Sequence, residues 1–263
     1  MLEEPRSGRL VAWGNALLAG QVSPDEVAGR IVSEDSRHRV VQLPDEEGPV
    51  GLTLALGRLR SWGVWGFRLA LPVPGHPLGL SGPAAFNSLA LEAGEAVLLS
   101  GAAWGLVPEV VEAGPEGDVD RAVLWRMEPI REAPPADVPS LGEAERELAQ
   151  ALREATEALT RLDVAGSSPV AEAALEAYRA RAEAGRTLLA PGYPARAVRV
   201  LELAQRVAAL VGIAQEGTET GAALSASALA ARAEALRGVA ATARRAQVAA
   251  YNAYAEERER ERS

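Results

Sequence analysis

The chain has 263 residues, 48% of them apolar, and carries 36 acidic against 27 basic side chains for a net charge of −9. That is enough apolar material to bury a core in each of one or two domains, while the acidic balance repels phosphate backbones and leaves no electrostatic footprint for nucleic acid. There is no Cys, and all 27 basic residues are Arg, which excludes thiol nucleophiles, disulfides, Cys-ligated zinc, Schiff bases and the P-loop lysine. GC-rich codon usage is the simplest account of the missing Lys, with selected avoidance of lysine modification as the alternative. No stretch approaches the roughly 20 consecutive apolar residues that span a bilayer. The segment Met1–Arg9 opens with Glu3 and Glu4 rather than a basic leader, so a cytoplasmic, non-membrane protein is expected.

In chain order, Arg9 to Leu18 predicts a helix closed by Gly20, and Ser23-Pro24-Asp25-Glu26 opens a second helix with a cap, a proline at its first position and acid in its first turn. Arg39 to Leu43 reads as a strand, Gly51 to Ser61 as a helix, and Val64 to Leu71 as a strand with Phe67, Leu69 and Leu71 on one face. Pro83 to Ala93, ended by Gly94, predicts a helix, and Glu95 to Leu99 another strand. Val107 to Glu112 and Arg121 to Met127 flank a turn-rich segment and read as a hairpin at a sheet edge. The expectation is an α/β domain with a mixed sheet over residues 1–131, followed by a Pro-rich linker over 132–139.

Beyond the linker, Ser140 and Glu143 form a capping box. Leu148, Leu152, Ala155, Leu159 and Leu162 then recur at helical spacing. Similar stripes run from Ala171 to Leu189 after Ser168-Pro169, from Val200 through Leu203, Val207 and Leu210 to Ala214, and from Leu229 to Tyr254. With short connections, these predict an alanine-rich antiparallel four-helix bundle over 140–263, so the fold class is α+β in two domains. All five Trp and both Phe precede residue 130 and all four Tyr follow it, which predicts two separate cores. Glu256–Arg262 reads as a solvated helix end held by pairs such as Glu256 with Arg260.

The most ligand-like segment is Pro74–Pro83, between a strand and a helix at the carboxyl edge of the sheet. Arg68, Gly75, His76, Gly79, Ser81, Gly82 and Asn87 are its candidate contacts for a small anion or nucleotide. The glycine spacing G-x3-G-x2-G matches neither the dinucleotide fingerprint nor the Walker loop, and a plain Pro/Gly turn with Ser81 as a helix cap reads equally from it. No G-x-S-x-G elbow accompanies the two histidines. His38, between Arg37 and Arg39, reads as a surface imidazole whose protonation the neighbouring cations oppose. The acidic clusters Asp45-Glu46-Glu47 and Glu116–Asp120 lack the EF-hand register. No cofactor and no metal site is assigned. The long last helix offers Ala243, Gln247, Tyr251 and Tyr254 as a docking stripe for a protein partner or a second copy.

Gly75-His-Pro-Leu-Gly-Leu-Ser-Gly-Pro-Ala-Ala-Phe-Asn87 and Asp137-Val-Pro-Ser-Leu-Gly-Glu-Ala-Glu-Arg146 resemble segments of a family of uncharacterised alanine-rich proteins from high-GC actinobacteria. The resemblance covers most of the chain and implies an intracellular bacterial setting and the two-part arrangement. It brings no activity, cofactor or catalytic residue. The leading expectation is a non-enzymatic interaction or scaffold protein working through its C-terminal helices. A small-anion or nucleotide-binding domain and an enzyme of undefined class are the alternatives.

Overall fold

The computed structural model describes residues 4–115, 118–131, 135–161, 189–216 and 226–262. Its contacts divide the chain into one compact unit of Glu4–Val138, Leu189–Pro194 and Tyr251–Ser263, and another of Met1–Glu3, Pro139–Leu188 and Ala195–Ala250.

The first unit runs α1 (Arg6–Leu18), α2 (Pro24–Val32), β1 (Arg37–Val41), β2 (Val50–Gly51), α3 (Leu52–Ser61), β3 (Gly66–Ala70), α4 (Ala84–Ala93), β4 (Ala96–Ser100), β5 (Trp104–Ala113) and β6 (Asp120–Pro129). The local signals do their expected work. Ser23 Oγ accepts the Glu26 N–H at 3.3 Å, and α4 stops where Gly94 turns left-handed. The strands form one six-stranded sheet in the order β2-β1-β6-β5-β4-β3. Only β1 and β6 run parallel, the other pairs being antiparallel, so the sheet is mixed.

The β5–β6 hairpin was expected at a sheet edge and lies in the middle. The reason is Trp125, which pairs with Val40 of β1 and is fully buried. A strand whose Val123, Trp125 and Met127 are all buried needs neighbours on both sides.

Helix α1 packs on one face of the sheet and is buried from Arg6 to Leu17. It lies close because Gly14 has no side chain, and a Cβ there would sit 2.9 Å from the Phe67 ring. On the other face, α4 delivers Phe86 and Ala90 into a cluster with Ala70, Leu80, Ala96, Leu98, Val107 and Ile130. The alternation of Val97 and Leu99 with Ala96 and Leu98 serves the two faces.

The end strand β3 is buried along its whole length, so its outward peptide groups need partners other than water. Two asparagines supply them. Asn15 of α1 accepts the Phe67 N–H at 2.8 Å and donates to the Phe67 carbonyl at 3.0 Å. Asn252 accepts the Leu69 N–H at 2.6 Å and donates to the Leu69 carbonyl at 3.0 Å. Each side-chain amide thus reproduces the pairing a neighbouring strand would offer, and both residues are completely buried.

The second unit contains α5 (Leu141–Arg161), α6 (Ala195–Glu216) and the helix α7 (Ala226–Arg262) up to Ala250. The capping box forms: Ser140 N–H donates to Glu143 Oε2 at 3.0 Å and Glu143 N–H to Ser140 Oγ at 3.4 Å. In α6 the buried stripe is Val200, Leu201, Ala204, Val207 and Val211, whereas the expected Leu210 is 42% exposed. The helical stripe expected over Ala171–Leu189 lies outside the described residues apart from Leu189, which is buried.

The run Glu256–Arg262 is mostly exposed, as expected of a solvated helix end, but Tyr251–Ser263 belongs to the N-terminal unit and its first residues are buried there. Tyr251 is fully buried, lies where a Cβ on Gly8 would come within 2.8 Å of its ring, and donates to Glu4 Oε1 at 3.2 Å. Tyr254 stacks at a tilt on Tyr193, whose hydroxyl donates to the Tyr251 carbonyl at 2.9 Å. Arg68 pairs with Glu259 at 2.5 Å, and the Arg262 guanidinium lies 5.3 Å from the Trp65 ring centre. The Trp/Tyr partition therefore does not mark two cores, because Tyr193, Tyr251 and Tyr254 all belong to the unit that holds the tryptophans.

Candidate functional site

Arg6 and Arg9 lie one helical turn apart on α1 and share a face. Asp35 follows α2, and His38 is the second residue of β1. These four side chains converge. Asp35 accepts both Arg6 Nε and Nη2, at 3.0 and 2.7 Å, Arg9 Nη2 at 2.9 Å, and His38 Nε2 at 3.0 Å. On its far side His38 Nδ1 accepts the Trp125 indole N–H at 3.2 Å. An indole nitrogen only donates, so Nδ1 carries no proton and Nε2–H donates to Asp35.

The electrostatics agree with that tautomer. Burial lowers the His38 pKa, and the Arg6 and Arg9 charges lower it further against the opposing pull of Asp35, so the ring is neutral. Burial pushes Asp35 up, but its bonds to Arg6 and His38 and the two guanidinium charges outweigh this and hold it below the usual carboxylate range. Two cations, one carboxylate and a neutral imidazole make a buried ion cluster joining α1, the α2–β1 loop, β1 and β6, in which Arg9 Nε has no hydrogen-bond partner. The His38 side chain is 0% exposed and both ring nitrogens are engaged, so it has no free nitrogen for an outside substrate. The surface imidazole expected from Arg37-His38-Arg39 is thus a core residue, and the cations beside it are Arg6 and Arg9.

At the Pro74–Pro83 loop the N–H groups of His76, Gly79, Leu80 and Gly82 are already in use. Val73 and His76 exchange N–H bonds at 3.0 and 2.9 Å, Gly79 N–H donates to the Ala136 carbonyl at 2.8 Å, and Leu80 N–H to the Pro77 carbonyl at 3.2 Å. Asn87 accepts the Gly82 N–H at 3.1 Å, and Ser81 Oγ donates to the Arg131 carbonyl at 3.1 Å rather than capping the helix. Gly75 and His76 stand exposed at the tip of the turn. Arg68 is instead held at Ser100 and Glu259. The seven candidate contacts are therefore not gathered around one space: Ser81, Gly82 and Asn87 cooperate in folding the loop, and Arg68 belongs to the tail contact.

In the proposed docking stripe, Ala243, Tyr251 and Tyr254 are buried and Gln247 is half-buried, so the residues do not form an exposed surface. Among the described residues, no group of three or more His, Asp or Glu side chains is placed to hold a metal ion, and no helix is long and apolar enough to cross a membrane. An open groove of about 690 Å³ on α5, lined by Arg146, Gln150, Arg153, Glu154 and Thr242 among others, has mixed charge.

Sequence reasoning missed Asp35, Arg6, Arg9, Asn15 and Asn252. The paired arginines at i and i+3 within an apolar helix were a legible signal, and so was Asn15 inside Leu10–Leu18. Nothing in the local sequence marks Asn252.

The surface of the unit has one conspicuous feature. β5 pairs with β6 over ten residues, but β4 covers it only at Gly105 and Leu106. Beyond buried Pro108, residues 109–113 are all exposed, with Val110 and Val111 at 41% and 42%, and Val119 at the start of the returning strand is 42% exposed. The far end of the hairpin is thus an arm whose β5 edge is open, while on its other side β1 pairs with β6 from Ala122 onward and Val123 is buried.

Comparison with known proteins finds relatives along most of the chain. A protein of Mycobacterium tuberculosis (strain ATCC 25618 / H37Rv), "Uncharacterized protein Rv1486c", is 35% identical over 240 residues, covering 78% of this chain and 81% of the relative. "Uncharacterized protein ML1804" of Mycobacterium leprae is 29% identical over 288 residues, covering 93% and 95%. No solved structure matches. Models for the N-terminal and C-terminal domains of Rv1486c-like proteins match residues 7–138 and 142–248. The chain belongs to the family of Rv1486c-like proteins.

Proposed function

We propose that this chain is a non-enzymatic protein-interaction module whose docking surface is the β5–β6 arm rather than the end of α7. The arm carries the reading: residues 109–113 of its β5 strand are all exposed, Val110, Val111 and Val119 stand open to solvent, and one strand edge is open. The conspicuous polar side chains support it from the other side, since Asp35, His38, Asn15 and Asn252 are all engaged within the unit. They build a rigid frame for the arm. The C-terminal segment completes an antiparallel four-helix bundle in this reading, and the protein works in the cytoplasm.

A photo-crosslinking amino acid at Val111, with Leu54 as an equally exposed control position, tests this in cells of the native host. The expected result is a discrete higher-mass adduct from position 111 and none from position 54. Identical patterns from both sites would sink the interaction reading. Thermal shift against inorganic phosphate and common nucleotides tests the anion-binding alternative, for which no stabilisation is expected.

A further inference from the structure

The open edge of β5 has a chemistry of its own. From Glu109 to Glu112 the strand reads Glu-Val-Val-Glu, a palindromic pattern with an acid at each end. The cations that balance these acids, Arg126 on Glu109 and Arg121 on Glu112, both at 2.9 Å, come from β6, on the side away from the open edge. A strand arriving beside β5 therefore meets two carboxylates and two exposed valines, with no cation on β5 itself. Alternation places Glu109 and Val111 on one face and Val110 and Glu112 on the other.

Two kinds of strand can add here. A second copy pairing antiparallel about the centre of the palindrome would set Val110 against Val111 of its twin, but Glu109 against Glu112, and like charges directly opposite one another destabilise a sheet. Pro108, which has no N–H to give, interrupts the edge just before this run, a further obstacle to extending such pairing. The acids thus act against self-pairing while attracting a strand of opposite charge.

We propose that the β5 edge binds an extended protein segment of the pattern basic-aliphatic-aliphatic-basic by adding it as a further strand to the sheet. Main-chain bonds to β5 hold the segment, Val110 and Val111 pack its aliphatic pair, and Glu109 and Glu112 select its cations. This rests on the interaction reading above and narrows it to one edge and one partner chemistry.

The test uses the full chain, labelled with 15N, and two capped peptides, Thr-Arg-Val-Val-Arg-Thr and Thr-Glu-Val-Val-Glu-Thr. The basic peptide is expected to shift the amide resonances of residues 109–113 saturably and the acidic peptide to leave them in place. In an E109R/E112R variant the preference should reverse, with at least a tenfold loss of affinity for the basic peptide. The inference is overturned if neither peptide moves these amides, if the shifts map elsewhere, or if the charge reversal changes nothing. Concentration-dependent broadening of the same amides without peptide would overturn the choice of partner in favour of a second copy. Failure here together with a specific crosslink at Val111 would reject the basic strand and keep the interaction reading, whereas loss of both would reject the reading itself.

Discussion

Replacing Asn252 by Ala probes the way the β3 edge is closed. The side chain is 0% exposed and meets both the N–H and the carbonyl of Leu69. Truncation leaves two buried backbone groups without partners, each worth ~1–3 kcal/mol. Water entering the vacated space recovers part of this, so a net loss of about 3 kcal/mol is expected. For a chain of this size that corresponds to roughly 6–12 °C in Tm. All five tryptophans lie in the unit that contains Leu69, so urea unfolding followed by Trp fluorescence reports on the right part of the molecule. Asn252→Asp sharpens the test, because it keeps the acceptor for the Leu69 N–H and turns the donor into a second carboxylate oxygen facing the Leu69 carbonyl. At neutral pH it should be at least as damaging as Ala. On acidification the buried carboxyl takes up a proton and regains a donor, so Asn252→Asp should gain stability relative to Asn252→Ala between about pH 8 and about pH 5. A loss below about 0.5 kcal/mol for Asn252→Ala, or pH-independent behaviour of Asn252→Asp, would refute the amide-for-strand account.

Trp125→Phe keeps the ring but removes the donor to His38 Nδ1, and should cost about 1–3 kcal/mol in chemical denaturation. The depressed His38 pKa means that the unfolded chain binds the extra proton first. The stability that His38 contributes is therefore complete above ~6.5 and lost as pH falls from there through its folded pKa, a slope that a His38→Gln variant should lack. Asp35 contributes with the same sign in a lower window, its share being lost as pH drops below ~3.9. Gly8→Ala should destabilise the unit by about 1–3 kcal/mol through its clash with the Tyr251 ring, and Tyr251→Ala in the same chain should recover part of that loss. By contrast, Arg126→Ala removes an exposed pair with Glu109 and should move the unfolding midpoint by less than the equivalent of about 1 kcal/mol.

The secondary elements were legible because their signals are local. Ser23-Pro24, Gly94 and the Ser140/Glu143 box act within a turn of chain, and the structure uses each of them at a helix end. The alternation of Val123, Trp125 and Met127 likewise announced a buried strand face. The sequence reading failed where a residue's role depends on a partner distant in the chain. His38 sits between two arginines in sequence, yet its neighbours in space come from α1, the α2–β1 loop and β6. The run Glu256–Arg262 is mostly exposed, as its composition announced, yet the helix that carries it also carries Asn252, and that amide has its match 183 residues earlier at Leu69.

Composition, charge and periodicity alone determined that the chain has a mixed-sheet domain rich in Trp, a helix capped at Ser140 after it, and no Cys or Lys to supply thiol or lysine chemistry. Those properties depend on residue type and short-range spacing. The tertiary structure decided that β6 runs parallel to β1 in mid-sheet, that three tyrosines join the tryptophan unit, and that the loop singled out for a ligand engages the N–H groups of His76, Gly79, Leu80 and Gly82 within the protein. The first two outcomes depend on partners separated by tens of residues, such as Val40 with Trp125 and Tyr193 with Tyr251, and the third on which N–H groups the folded loop engages.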